Sequence, residues 1–182
     1  MLLLESALSH TWDPDKRQHV FISGLPSLQR NVETHFNNCK MAVIDVEAQK
    51  SKIGCMMFSL NFALSAHQKD DFFNDLHDRL HENGRCFDGH ESEIIGKMEY
   101  VEGTKVLPAI FYKHAQSRAT MDEVVANQPG LRDRNVSTSR SNPHETLQGR
   151  VQNFRITRGE RSYSMSIEAS RMRKIRKAIE DA

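Results

Sequence analysis

At 182 residues, with 38% hydrophobic and 27% charged side chains, the chain is long enough to bury a self-sufficient core while keeping a large polar surface. That balance excludes a fully disordered chain and a small disulfide scaffold. The net charge of +1 hides an asymmetry: residues 131–182 hold ten Arg and two Lys against six acids, net +6, and residues 1–130 hold thirteen cations against eighteen acids, net −5.

At the start, Leu2, Leu3 and Leu4 are interrupted by Glu5 and followed by Ser6, His10 and Asp13, with no charged leader region and no spanning run. A cytoplasmic protein is expected, with no membrane partner. His19 to Leu25 forms a short β-rich run closed by Gly24 and Pro26. Ser27 then caps a helix to about Asn37 that groups Leu28, Val32 and Phe36. Lys40 to Glu47 places Ala42, Ile44 and Val46 on one side, and Ile53 to Leu64 places Met56, Phe58, Leu60, Phe62 and Leu64 at period two, which predicts two strands. From Ala66 to Glu82 the period becomes helical, with Phe72, Phe73, Leu76 and Leu80 on one face and Asn83-Gly84 as the stop. Two further strands, Glu93 to Val101 and Lys105 to His114, are joined by Glu102-Gly103-Thr104. The order β-α-β-β-α-β-β predicts an α+β fold, an antiparallel sheet covered by helices, with the ferredoxin-like arrangement among its forms. Cys39, Cys55 and Cys86 are odd in number and irregular in spacing, and read as reduced, buried thiols.

The run Val20-Phe21-Ile22-Ser23-Gly24-Leu25-Pro26 resembles the first-strand motif of RNA-recognition domains, which implies a base stacked on Phe21. The partner motif lacks its aromatics: Lys52-Ile53-Gly54-Cys55-Met56-Met57-Phe58 stands in its place, so Phe21 reads first as a core residue.

The predicted organisation is an acidic α+β body over 1–125, an Arg/Ser-rich loop or linker over 126–150, and a basic module over 151–182 packed on the body. In that module Val151 to Arg158 folds back on Ser162 to Ala169 through Gly159-Glu160. The resulting register sets Ile156 opposite Tyr163, Phe154 opposite Met165, Gln152 opposite Ile167 and Arg158 opposite Arg161. Ser170 to Glu180 follows as an amphipathic basic helix with Met172, Ile175 and Ile179 at helical spacing.

Guanidinium forks grip phosphates and stack on bases, so the Arg-rich end points to nucleic acid, RNA ahead of DNA. The predicted contacts are Arg140, Arg150, Arg155, Arg158, Arg161, Tyr163, Arg171, Arg173, Lys174, Arg176 and Lys177. A second reading is a protein-binding module with complementary acidic and basic surfaces, self-assembling or joining a ribonucleoprotein complex. A third is a metal-independent endoribonuclease with His144 or His114 as general base. His77, His81, Cys86 and His90 make the best metal cluster, but no HExxH or paired CxxC spacing supports it. No metal or cofactor is expected, no catalytic residue is assigned, and a binding protein is favoured over an enzyme.

Overall fold

Three short apolar strands, drawn from widely separated parts of the chain, run side by side in the same direction at the centre of the molecule. The computed structural model describes residues 1–22, 24–52, 54–139, 142–159 and 161–180. In chain order the elements are β1 (Leu2–Glu5), β2 (His10–Asp13), β3 (Gln18–Phe21), α1 (Leu25–His35), β4 (Ala42–Asp45), α2 (Cys55–His67), α3 (Asp70–Asn83), β5 (Ser92–Ile95) and β6 (Met98–Glu102). There follow α4 (Gly103–Val106), a 3-10 turn (Ala109–Tyr112), α5 (Arg118–Asn127), a second 3-10 turn (Pro129–Leu131), α6 (Leu147–Asn153), β7 (Arg155–Arg158), β8 (Arg161–Ser164) and α7 (Ser166–Glu180).

The main sheet has the order β1-β4-β6-β5, with β1, β4 and β6 parallel and β5 antiparallel to β6. The mixed α+β class therefore stands, but the antiparallel, ferredoxin-like arrangement is replaced by a largely parallel sheet. The physical reason lies in β4: Ala42, Val43 and Ile44 are all fully buried, the continuous apolar run of a strand covered on both faces. One face carries Ala42, Ile44 and Val46 against Phe58 and Phe62 of α2 and Leu76 and Leu80 of α3. The other carries Val43 against Val32 of α1, with Met98, Tyr100 and Phe21. Phe21 is thus a core side chain and offers no platform for a base.

The segment expected as a strand over 53–64 is helix α2. Phe58 and Phe62 are buried while Met56, Leu60 and Leu64 are exposed. Both sets obey i,i+4 spacing, and interleaving two helical stripes imitates a period of two. Residues 105–114 likewise form no strand. Pro108 removes a donor, and Leu107 and Ala109 to Tyr112 are buried all round, where periodicity cannot separate helix from strand. At the turn from β6 into α4, a side chain on Gly103 would collide with the Asp45 carbonyl oxygen, so glycine is what lets this turn close on the end of β4.

The stretch over 126–150 ends α5, passes the second 3-10 turn and enters α6. Its Val136 and Leu147 belong to the main core. β7 and β8 pair antiparallel, with Ile156 opposite Tyr163 and Arg158 opposite Arg161. They are shorter than the sequence pattern suggests. Gln152 lies in α6, whose Thr146 cap accepts from the Gly149 N–H, and Ile167 lies in the first turn of α7. That first turn is buried, whereas residues 171–180 are exposed along their length.

Candidate functional site

The carboxyl ends of β1, β4 and β6 lie along one edge of the sheet, the place where open α/β sheets present their loops to ligands. After β1, the Glu5 carboxylate accepts from the Ser6 and Ala7 N–H groups at 2.8 and 3.3 Å, and Ser9 donates its N–H to Asp45 Oδ2 at 2.8 Å. Asp45 is buried, which pushes its carboxyl up to about 7 despite the Ser9 bonds. His10 Nδ1 sits 3.7 Å from it, with the His10 ring packed on Tyr100 and His19.

The loop leaving β4 is pinned by two buried glutamines. Ser6 Oγ donates to Gln49 Oε1 at 2.8 Å, and Gln49 Nε2 donates to the Ser51 carbonyl at 2.7 Å. Gln116 Oε1 accepts from the Lys50 and Ser51 N–H groups at 2.8 and 2.9 Å. This loop delivers Gly54, at φ 102°, and then Cys55 as the first residue of α2. Gly54 takes a backbone conformation that other residues rarely adopt, and the helix starts directly from it. A helix start leaves its first N–H groups without intrahelical acceptors, and Cys55 and Met56 are the first two residues of α2.

Cys55 is exposed, Cys39 half-buried and Cys86 buried. The expectation of three sequestered thiols is therefore corrected. Burial, with Glu99 alongside, pushes the Cys86 thiol up to about 12, which keeps it protonated and inert. The sequence signal was present in Gly54-Cys55 ahead of an apolar run, and reading that run as a strand concealed it.

A second feature lies between α2, α6 and α7. A cavity of about 590 Å³ is lined by Lys113, His114, Arg150, Arg173 and Lys174, with Asn61, Leu64 and Ser137 among its other walls. Lys113 is held down to about 8 by burial and by the neighbouring Arg150, Lys174 and Arg173. Its one acidic wall residue, Glu145, is already engaged, accepting from Arg150 Nη1 at 2.8 Å. Arg150 also donates from Nε to Ser166 Oγ at 2.9 Å and stacks over Phe154 at 4.3 Å. The cavity is thus a converging set of cations with too few anions.

The residues expected to contact nucleic acid divide accordingly. Arg150, Arg173 and Lys174 line this cavity, whereas Arg171, Arg176 and Lys177 are exposed elsewhere on α7. Arg155 is exposed on β7 and donates to Ser162 Oγ at 2.7 Å, and Arg158 is exposed at the end of β7. Tyr163 is half-buried and bridges Ser117, and Arg161 lies in β8. Arg140 lies outside the described residues. Lys113, central to the cavity, was missed because it stands in an apolar run far from the Arg-rich end. His114 is buried, and burial with Lys113 and Arg150 nearby pushes its pKa down to about 2, so it is not the general base of a ribonuclease. Among the described residues no three His, Cys, Asp or Glu side chains converge to hold a metal, and no helix is long and apolar enough to cross a membrane.

A family model described as YopJ serine/threonine acetyltransferase matches residues 1–177. The chain belongs to this family. The serine/threonine-protein acetyltransferase HopZ1a of Pseudomonas syringae pv. syringae is 28% identical over 165 residues, covering 77% of this chain and 44% of that protein. A serine/threonine-protein acetyltransferase of Sinorhizobium fredii is 47% identical over 54 residues, 30% of this chain and 20% of that protein. The chain spans less than half the length of these curated relatives. In structure it resembles HopZ1a in complex with IP6 and CoA, with a TM-score of 0.74 at 24% identity over 96% of this chain and 61% of that one. It also resembles AvrA delL154 with IP6 and CoA, with a TM-score of 0.73 at 20% identity over 98% of this chain and 60% of that one.

Membership of the YopJ family overturns the nucleic-acid reading together with its alternatives, an assembly subunit and a ribonuclease, and replaces a binding protein with a member of an enzyme family. The geometry gives the reason. Arg150 is buried and paired, and Arg173 and Lys174, on the exposed part of α7, line the cavity beside it.

Proposed function

We propose that the chain carries the acyl-transfer centre of an acetyltransferase that moves an acetyl group from acetyl-CoA to a serine or threonine hydroxyl, with Cys55 as the carrier. Family membership supports the reaction class, and the single observation that supports the residue is the exposed thiol at the start of α2, on a loop fixed by Gln49 and Gln116 at the carboxyl edge of the sheet.

In this reading Cys55 Sγ, as thiolate, attacks the acetyl carbonyl carbon of acetyl-CoA. The bond from that carbon to the CoA sulfur breaks, and CoA leaves as its thiol after taking up a proton. The substrate hydroxyl oxygen then attacks the thioester carbon on Cys55, its proton is removed, and the C–Sγ bond breaks to regenerate the thiolate. In both steps the N–H groups at the start of α2 stand ready for the developing oxyanion. The groove of about 520 Å³ beside Lys50, Ser51, Gln116 and Tyr163 adjoins the loop that carries Cys55 and suits the arm of the acetyl donor.

The cationic cavity fits IP6, a densely charged polyphosphate. Lys113, Arg150, Arg173 and Lys174 would hold it, and their convergence on one cavity, with Glu145 as the single acid in its wall, supports that reading. A bound polyanion would relieve that repulsion and tie α7 to α2 and α6, stabilising the face from which the catalytic helix springs.

The test is transfer of radiolabelled acetyl from acetyl-CoA to protein in the presence of IP6. Wild-type protein takes up label and Cys55→Ala takes up none. Equal labelling of the two proteins would refute the assignment.

A further inference from the structure

Gln116 is buried, and each of its polar atoms is engaged. Its backbone N–H donates to the Ala48 carbonyl at 2.9 Å, and its backbone carbonyl accepts from the Ser164 N–H at 3.2 Å. In the side chain, Oε1 accepts from the Lys50 and Ser51 N–H groups, and Nε2 donates to Ser51 Oγ at 3.1 Å and to Glu168 Oε1 at 3.4 Å. A carboxamide has two acceptor sites and two donor hydrogens, so nothing is left over. The two backbone donors also fix which way round the amide lies. Only an oxygen can receive them, so the nitrogen must face Ser51 and Glu168.

Three parts of the chain meet on this one side chain. Lys50 and Ser51 belong to the loop between β4 and α2 that leads through Gly54 to Cys55, Ser164 ends β8, and Glu168 lies in the first turn of α7. That first turn is also held from another side, where Ser166 Oγ accepts from Arg150 Nε at 2.9 Å and donates to the Lys113 carbonyl at 3.1 Å. Glu168 Oε2 is buried with no hydrogen-bond partner among the described residues, so Oε1 is the oxygen through which Glu168 meets the amide. Ser51 stands four residues before Cys55, and a shift of the backbone there is passed on to the start of the helix. Acyl transfer needs its reacting atoms about 3–3.5 Å apart and aligned, so a small displacement of the thiol slows it steeply.

We infer that Gln116 is a positioning residue for Cys55: oriented by Glu168, it holds the backbone at Lys50 and Ser51 so that the thiol stands where the acetyl carbonyl arrives. This rests on the transferase reading given above. The effect falls on rate and not on donor affinity, because the amide keeps no spare donor or acceptor for the groove it borders.

The experiment follows acetylation of Cys55 by acetyl-CoA in the full chain with IP6 present, quenched in acid over a range of times and acetyl-CoA concentrations and read by intact-protein mass spectrometry. It yields a maximal rate and a half-saturating concentration. Gln116→Glu keeps an acceptor for Lys50 and Ser51 but sets a second carboxylate against Glu168. Combining it with Glu168→Gln exchanges the two side chains and restores a donor opposite an acceptor. Misplacing reacting groups by about 1 Å costs on the order of 100-fold, so Gln116→Glu is expected to lose roughly 10- to 100-fold in maximal rate with the half-saturating concentration unchanged. The exchanged pair is expected to recover most of that loss. Glu168→Ala leaves Gln116 in place without its orienting partner and is expected to lose maximal rate in the same way. Melting curves give the folded fraction, and rates are compared per folded molecule. Should Gln116→Glu not fold, Glu168→Ala carries the same expectation. A wild-type maximal rate in folded Gln116→Glu or Glu168→Ala, an exchanged pair no faster than Gln116→Glu, or a loss confined to the half-saturating concentration would overturn the inference and leave the transferase reading intact. No acetylation of Cys55 in wild type would remove both.

Discussion

Replacing Arg150 with Met removes one member of a largely buried ion pair while keeping most of the apolar stem. The side chains of Arg150 and Glu145 are 10% and 12% exposed and their oxygen and nitrogen lie 2.8 Å apart. The same guanidinium serves Ser166, whose hydroxyl donates to the Lys113 carbonyl and so needs a donor for its remaining lone pair. Deletion of one partner of such a pair costs about 3–5 kcal/mol, since the other charge is left buried and unmatched. For a chain of this length that corresponds to a melting temperature lower by roughly 6–20 °C. The assay is urea unfolding without polyphosphate, comparing wild type, Arg150→Met, and Arg150→Met combined with Glu145→Leu. The double variant should recover most of the loss, because removing both charges leaves nothing unmatched. A single variant within about 1 kcal/mol of wild type would show that the pair is not sequestered and refute the reasoning.

Asp45→Asn keeps an acceptor for the Ser9 N–H and removes a carboxyl whose folded pKa is raised to about 7 by burial. A raised carboxyl gives its full contribution below the unfolded value near 4 and loses it as pH rises through 7. The variant should therefore gain on wild type by a few kcal/mol between about pH 4 and 8, and a pH-independent difference in urea unfolding would contradict this. Gly54→Ala forces an L side chain to φ 102°, with an expected loss of about 1–2 kcal/mol and slower acetyl uptake by Cys55, checked by unfolding and labelling together. Phe58→Ala opens the centre of the core between α2 and the sheet and should cost about 3–5 kcal/mol in the same unfolding assay.

What could be read from the sequence follows from how local each signal is. Leu76 and Leu80 mark α3 because their stripe is one-sided, with Asp70, Asp71, Asp75 and Asp78 on the rest of the helix. Ile156 meets Tyr163 because a short turn leaves little choice of register. The parallel pairings of β1 with β4 and of β4 with β6 join segments some forty and fifty-seven residues apart, and no local pattern specifies them. Cys55 was overlooked because α2 bears two apolar stripes, one of them on the surface. The charge bias located Arg150, Arg173 and Lys174 of the cationic cavity, but the nucleic-acid reading built on it does not stand. Burial of Arg150, its pairing with Glu145, and the approach of Lys113 from another part of the chain are all tertiary facts.

Intact-protein mass spectrometry after brief exposure to acetyl-CoA and IP6, quenched in acid and followed by peptide mapping, tests the central claim most directly. The account predicts one added acetyl group on the peptide containing Cys55, lost on treatment with neutral hydroxylamine as a thioester is. Acetylation that persists undiminished in Cys55→Ala, or that never appears on Cys55 in wild type, would contradict it.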